Sequence, residues 1–240
     1  MRYLILLLSL LITGPALAAT PTFDAASNSG VKSNASSTAS YNHTAGTLSN
    51  GIAICAVTSQ DSTPGTISGV TYGGAAMTNV GTTQTIDTVT SHAFSLWYKL
   101  APSAGASAVV ATFSEVMNSH VVSCATYSNV NQSSPIGTPA AADNFDTVNP
   151  SEARVTVTSA VGEVVVAIAM FASATASGTT SHNSRASVLA SSNHFHGLSD
   201  TSGAATVNMS WTLAESRNNG IYGVSLKPST DNAGAPLFFD

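Results

Sequence analysis

A chain of 240 residues with 8% charged side chains and a formal net charge of −5 does not read as a partner of nucleic acid or of an anionic membrane surface. Both need clustered cations, and the 7 Lys and Arg here are scattered and outnumbered by 12 Asp and Glu. A hydrophobic share of 43% also excludes disorder along the whole length.

The first eighteen residues read as a secretory signal. Arg2 supplies the positive n-region, and residues 3–13 (YLILLLSLLIT) form the apolar run. Gly14-Pro15 breaks a helix, and Ala16-Leu17-Ala18 before Ala19 gives the small-residue cleavage site. The run is shorter than the roughly 20 residues of a transmembrane helix, and no Cys follows it to carry a lipid. The expected mature chain is therefore secreted and soluble, without a membrane span, and losing Arg2 leaves it 6 cations against 12 acids. Its surface has to be built from Ser, Thr, Asn and Gly.

Strand signals then recur between turn residues, with no amphipathic helix. Residues 51–57 (GIAICAV) read as a buried strand. Residues 66–72 (TISGVTY) and 76–80 are joined by Gly73-Gly74, a hairpin signal because paired glycines accept the positive φ of tight turns. Residues 93–100 (AFSLWYKL) alternate, with Phe94, Leu96 and Tyr98 on one side and Ser95, Trp97 and Lys99 on the other. Strands are predicted at 108–114 and 120–127, then a polar loop over 129–150. Strands follow at 153–158 and 164–171 (VVVAIAMF) around a turn at 161–163. Residues 173–185 read as loop, and strands at 187–190, 205–213 and 220–226 end before Pro228.

About nine or ten short strands with Gly- and Ser-rich turns are the signature of a sandwich or barrel. The predicted fold is all-β, a single jelly-roll-like antiparallel β-sandwich over residues 19–228 after the signal peptide at 1–18, with a flexible tail at 229–240. Two smaller sandwiches joined through 129–150 are the alternative.

The order VTYGGAAMTNV at 70–80, WYKLAP at 97–102, the run 121–137 ending SNVNQSSPIG, and AVGE at 160–163 before its apolar strand resembles a jelly-roll module. Such modules recur in phage structural proteins and secreted bacterial surface proteins. The likeness spans roughly residues 23–227 and rests on turns and core positions. It implies a binding or structural module and carries no catalytic residue.

Cys55 and Cys124 each lie inside an apolar strand. In an exported chain they form a natural disulfide pair, and two buried thiols are the alternative. His194-Phe195-His196 puts both imidazoles on one side of an extended segment, with His182 and Asp200 near in sequence as further metal ligands. The Ser, Asn and Gly around them are equally the composition of an exposed loop. Asp143 and Asp146, flanking Asn144 and Phe145 in the long loop, offer oxygen ligands for a structural calcium; no other cofactor is expected.

Nothing points to nucleophilic catalysis. There is no Gly-x-Ser-x-Gly elbow, and among so many serines a Ser–His–Asp grouping read from sequence would be chance. Glycoside hydrolysis needs two convergent carboxylates, and the glutamates are only Glu115, Glu152, Glu163 and Glu215. Aromatics suit binding better. Trp97, Trp211 and Tyr222, with Tyr72 and Tyr98, could stack on sugar rings, although core packing is the commoner fate. The sequons at Asn34, Asn42, Asn131 and Asn208 are expected by accident in this composition. Leu237, Phe238 and Phe239 at the end of a polar tail suit docking on the sandwich or on a neighbouring copy.

The expectation is a non-catalytic extracellular module, structural or adhesive: surface- or glycan-binding, or a self-assembling homo-oligomeric component of a coat, filament or virion. A secreted polysaccharide-acting hydrolase is the alternative.

Overall fold

The computed structural model describes residues 18–61, 66–86, 92–143, 151–172, 177–190 and 194–230, which contain no helix. The signal-peptide expectation and the tail bearing Leu237, Phe238 and Phe239 fall almost wholly outside these residues. The strands are β1 (Thr22–Asn28), β2 (Lys32–Ala45), β3 (Ile52–Gln60), β4 (Ile67–Tyr72), β5 (Ala75–Ala76), β6 (Thr78–Asn79), β7 (Gln84–Thr85), β8 (His92–Leu100) and β9 (Gly105–Ser128). They continue with β10 (Ala140–Asp143), β11 (Glu152–Thr158), β12 (Val164–Phe171), β13 (Gly178–Thr179), β14 (Asn183–Ala190), β15 (His194–Ser202), β16 (Thr206–Leu213) and β17 (Asn219–Leu226).

All pairings are antiparallel and make three sheets. The first is organised on β9, in the order β5-β4-β9-β3-β8-β6. The second half of β9 lies between β3 and β1, and its first half between β4 and β2. Because β4 turns into β5, and β6 two residues later joins the far edge at β8, this sheet nearly closes on itself. The turn has the predicted glycines, with φ of 58° at Gly73 and 80° at Gly74; a Cβ at either would oppose that conformation. The second sheet runs β10-β17-β12-β15-β14 and the third β11-β16-β13.

Three apolar layers result. Val57, Tyr72, Trp97, Val109, Phe113 and Met117 fill the curl of the first sheet. Ile52, Ile54, Phe94, Leu96 and Tyr127 of the first sheet meet Ile168, Met170, Leu198 and Val224 of the second. The opposite face of the second sheet, with Val165, Ala167, Phe171 and Phe195, meets Val155, Val157, Met209 and Trp211 of the third. Strands β3 and β12 are therefore buried on both faces, which is why IAICAV and VVVAIAMF read as continuous apolar runs. Strands β11 and β16 have one face in water and alternate strictly. At the crossing of layers, a Cβ on Gly197 would stand 2.8 Å from the indole of Trp211 and 2.8 Å from the ring of Phe195. Gly197→Ala should cost about 1–3 kcal/mol through overpacking, read as a lower urea midpoint with an unchanged m-value.

Several expectations change. Segments 108–114 and 120–127 belong to one 24-residue strand, β9, whose register with β2 shifts around the exposed Ser114, Glu115 and Val116. The polar loop at 129–150 contains β10, and the loop at 173–185 already holds β13 and the start of β14. Strands β1 and β2 had no apolar signal. In β2 the buried positions Ala39, His43 and Ala45 are small or polar, so its period-2 pattern does not register as hydrophobic.

Cys55 and Cys124 are directly opposed in the β3–β9 register, with Cα atoms 4.0 Å apart, and are joined as a disulfide. The link closes a 69-residue separation. Replacing both by Ala is expected to lower stability by about 2–4 kcal/mol, measured by thermal denaturation beside the oxidised chain.

Candidate functional site

The polar groups with unusual environments lie inside the fold, and β15 carries three of them, His194, His196 and Asp200. Side chains alternate along a strand, so His194, His196, Leu198 and Asp200 all face the first sheet. Opposite them stand Thr58 of β3 and Ser119, Ser123 and Tyr127 of β9.

The Oγ1 of Thr58 lies 3.1 Å from His194 Nε2 and 3.0 Å from His196 Nδ1. Ser119 Oγ is 3.1 Å from His194 Nδ1, and Ser123 Oγ is 2.6 Å from His196 Nε2. All four ring nitrogens are engaged and both rings are fully buried. One head-to-tail chain satisfies every atom: Ser119 donates to His194, His194 to Thr58, Thr58 to His196, and His196 to Ser123. Each imidazole is then neutral, with one donor and one acceptor. Burial pushes His194 well below its ordinary pKa, and nearby His92, His196 and His120 add to the effect. Burial brings His196 down to about 3. His120 points to the other side of β9, its ring 5.0 Å from that of Phe113. Neither of its ring nitrogens has a hydrogen-bond partner among the described residues. Burial and then Lys32 lower it to about 4.

Six residues along the same strand, Asp200 gathers a second network. Its Oδ2 accepts from the Tyr127 hydroxyl at 2.6 Å and from Arg185 Nε at 2.5 Å. Its Oδ1 accepts from Arg185 Nη2 at 2.9 Å and Asn183 Nδ2 at 3.0 Å. The guanidinium carbon sits 3.5 Å above the ring of Phe23, a cation–π contact from β1. Burial, and then the negative charge of Asp200, raise the Tyr127 phenol well above its usual pKa, so it remains a donor. A depression of about 220 Å³ opens beside this pair, rimmed by Pro21, Phe23, Val164 and Thr201. A second of about 220 Å³ lies between Thr138, Thr158, Ser159, Glu163, Ser225 and Lys227. Both fall below the volume of ordinary small-molecule pockets, about 300–1,000 Å³.

The sequence-predicted sites are dispersed or buried. His194 and His196 do share a side, but in a buried strand paired with β12 and β14 and not the exposed loop their flanks suggest; β3 and β9 of the first sheet cover that side. They do not meet the other two proposed ligands. His182 binds the carbonyl of Asn208 at the edge of the third sheet, and Asp200 is held by Arg185. Among the described residues no three His, Cys, Asp or Glu side chains are grouped to hold a metal. Asp143 ends β10 and is exposed, while Asp146, the other residue of the calcium expectation, lies outside the described residues.

The aromatics proposed as sugar platforms need correction. Trp97 is 8% exposed, Trp211 1% and Tyr222 3%. Each has its face in the core and its polar tip satisfied: Trp97 Nε1 donates to Ser95 Oγ, Trp211 Nε1 to Ser199 Oγ, and the Tyr222 hydroxyl reaches the backbone of Thr82. The physical reason is that Trp97 and Tyr222 lie in sheets covered on both faces, and Trp211 is on the inner face of the third sheet. Three glutamates act locally: Glu152 pairs with Arg154, Glu215 with Arg217, and Glu163 holds Ser159 and the Ala160 amide of its own turn. Sequence reading missed Thr58, Ser119, Ser123, Tyr127 and Arg185. The one available signal was a polar residue at an inward position of an otherwise apolar strand.

No protein-family model matches the chain, and neither a curated protein nor a solved structure matches it.

Proposed function

We propose that the chain is an exported, non-catalytic β-sandwich module of jelly-roll type that presents a hydroxyl-rich surface outside the cell. It serves as an adhesive unit for an uncharged, polyhydroxylated surface such as a glycan, or as a repeating component of a coat, filament or virion. The reading is supported by how polarity is divided. The titratable groups with perturbed environments lie in the interior, whereas the outer face of β11 and β16 is a registered ladder of hydroxyl and amide groups with one ion pair, Arg154–Glu152. Thr156 stands opposite Asn208, Thr158 opposite Thr206, and Arg154 opposite Ser210. Thr156 Oγ1 donates to Asn208 Oδ1 at 2.7 Å, and Arg154 is neutralised by Glu152 at 2.9 Å. Such a face hydrates well and exerts little charge repulsion on its neighbours.

A glycan array probed with the mature chain, beside native mass spectrometry of the same sample, tests the reading. Retention on neutral glycans that falls when Thr156, Thr158 and Thr206 are changed together to Glu, or a homo-oligomer in the native spectrum, is the expected result. Release of reducing sugar from a polysaccharide would instead establish the hydrolase, and a monomer that binds no glycan would remove both forms of the display role.

A further inference from the structure

Strands β1 and β2 both lean on β9, and their side chains meet over its second half in a third polar network. Ser27 Oγ on β1 is 2.6 Å from His43 Nδ1 on β2. The other ring nitrogen, Nε2, is 3.3 Å from Thr126 Oγ1 on β9. Thr126 Oγ1 donates to Asp24 Oδ2 at 2.8 Å and faces the carbonyl of Ala25 at 3.3 Å.

The direction of every hydrogen bond in this chain follows from its end. A carboxylate and a carbonyl can only accept, so the Thr126 hydroxyl spends its proton on Asp24 or Ala25. It must therefore accept from His43, which places the ring proton on Nε2. Nδ1 is left with a lone pair, and the 2.6 Å contact has to be Ser27 donating to it. Three supports hold the arrangement. His43 is fully buried with Tyr72 edge-on at 6.0 Å. The Tyr41 hydroxyl donates to the Ser27 carbonyl at 3.3 Å. Asp24 Oδ2 also accepts the Gly46 amide at 2.9 Å. Ser27 itself is only part-buried. Burial keeps the His43 ring below its ordinary pKa, hence unprotonated and able to take a proton at neutral pH.

A serine hydroxyl aimed at the lone pair of an imidazole, whose far nitrogen is oriented through a relay to a carboxylate, is the nucleophile–base–orienter grouping. We propose that Ser27 is an acyl-acceptor site, taking one acyl group from an activated ester or thioester. The Ser27 Oγ–acyl carbon bond forms as its proton passes to His43 Nδ1. The bond from acyl carbon to the leaving oxygen or sulfur then breaks, and the leaving group takes that proton. The product is a Ser27 ester and a free alcohol or thiol. Thr126 and Asp24 are positioning residues. The inference goes beyond the display role, which the glycan array tests independently of Ser27: it gives the module a point of covalent attachment.

The folded, oxidised chain is incubated with a fluorophosphonate probe and with p-nitrophenyl acetate, and the adducts are located by peptide mass spectrometry. One adduct per chain on the peptide containing Ser27 is expected, lost in Ser27→Ala and slowed about 10²-fold or more in His43→Gln. Thr126→Ser, which keeps the relay, should label at close to the original rate, and Thr126→Val should label at least about tenfold more slowly with an unchanged circular dichroism spectrum. If His43→Gln does not fold, the Ser–Val comparison at Thr126 decides. No label on Ser27 in the folded chain, labelling spread over many serines, or equal rates in Thr126→Ser and Thr126→Val would overturn the proposal.

Discussion

Lowering the pH from 7 to 4 is expected to remove most of the stability of this chain, through histidines it buries uncharged. His196 titrates at about 3 and His120 at about 4 in the folded protein, and His194 is displaced in the same direction, against about 6.5 for an unfolded histidine. Below about pH 6.5 the unfolded chain binds protons that the folded chain refuses, so stability is complete above that pH and lost as the pH falls. Each such histidine costs about 1.4 kcal/mol per pH unit until its folded pKa is reached. His196 and His120 together then remove on the order of 6–7 kcal/mol by pH 4, and total stabilities of about 5–15 kcal/mol do not absorb that easily. Geometry points the same way. The Ser119–His194–Thr58–His196–Ser123 chain is complete with one proton per ring, and a second proton makes both nitrogens of a ring donors. Urea titrations between pH 7 and pH 4 measure the slope. His196→Asn should be less stable at pH 7 yet show a flatter pH dependence by about one histidine's share. An identical slope in that variant would show that the seam does not carry the acid sensitivity.

The second large effect is expected at Arg185. Removing one partner of a buried ion pair costs about 3–5 kcal/mol, because the other charge is left uncompensated. In Arg185→Ala the Asp200 carboxylate, 3% exposed, keeps only Tyr127 and Asn183, and Phe23 loses the cation above its ring. Thermal denaturation should show Arg185→Ala far below the parent chain, with β1 the first strand to gain hydrogen exchange, since Phe23 is its contact to the pair. The double variant Arg185→Met/Asp200→Leu should recover much of the loss, as replacing a whole buried pair by apolar groups often does. A double variant as unstable as the single one would mean that the pair contributes through its hydrogen bonds to Tyr127 and Asn183 and not through charge compensation.

The fold class was legible where hydrophobicity and period coincide. β3, β8, β11, β12, β16 and β17 were each readable within a few residues, as was the Gly73-Gly74 turn, but of the expected return strand at 76–80 only Ala75–Ala76 pair with β4, and Thr78–Asn79 cross to β8. Illegible were the strands that bury polar side chains. HFHGLSDTS in β15 has the composition of a loop, yet it is fully buried up to Asp200, because every inward polar group has a partner on β3, β9 or β14 that sequence cannot supply. β1 and β2 were hidden for the same reason: Asp24, Ser27 and His43 are satisfied by one another and by Thr126. The length of β9 was hidden by the exposed Ser114, Glu115 and Val116, since exposed residues in mid-strand read as a turn. The aromatics misled in the opposite sense. Trp97 alternates away from Phe94 and Leu96, but the nearly closed first sheet gives that second face a core of its own.

Export and oxidation, as proposed above, would both be read in the intact mass of the chain recovered from the medium of an expressing culture. The expected mass is that of residues 19–240 less two hydrogens, for a cleaved leader and one closed disulfide. A full-length chain retained in the cytosol with both thiols free would contradict both.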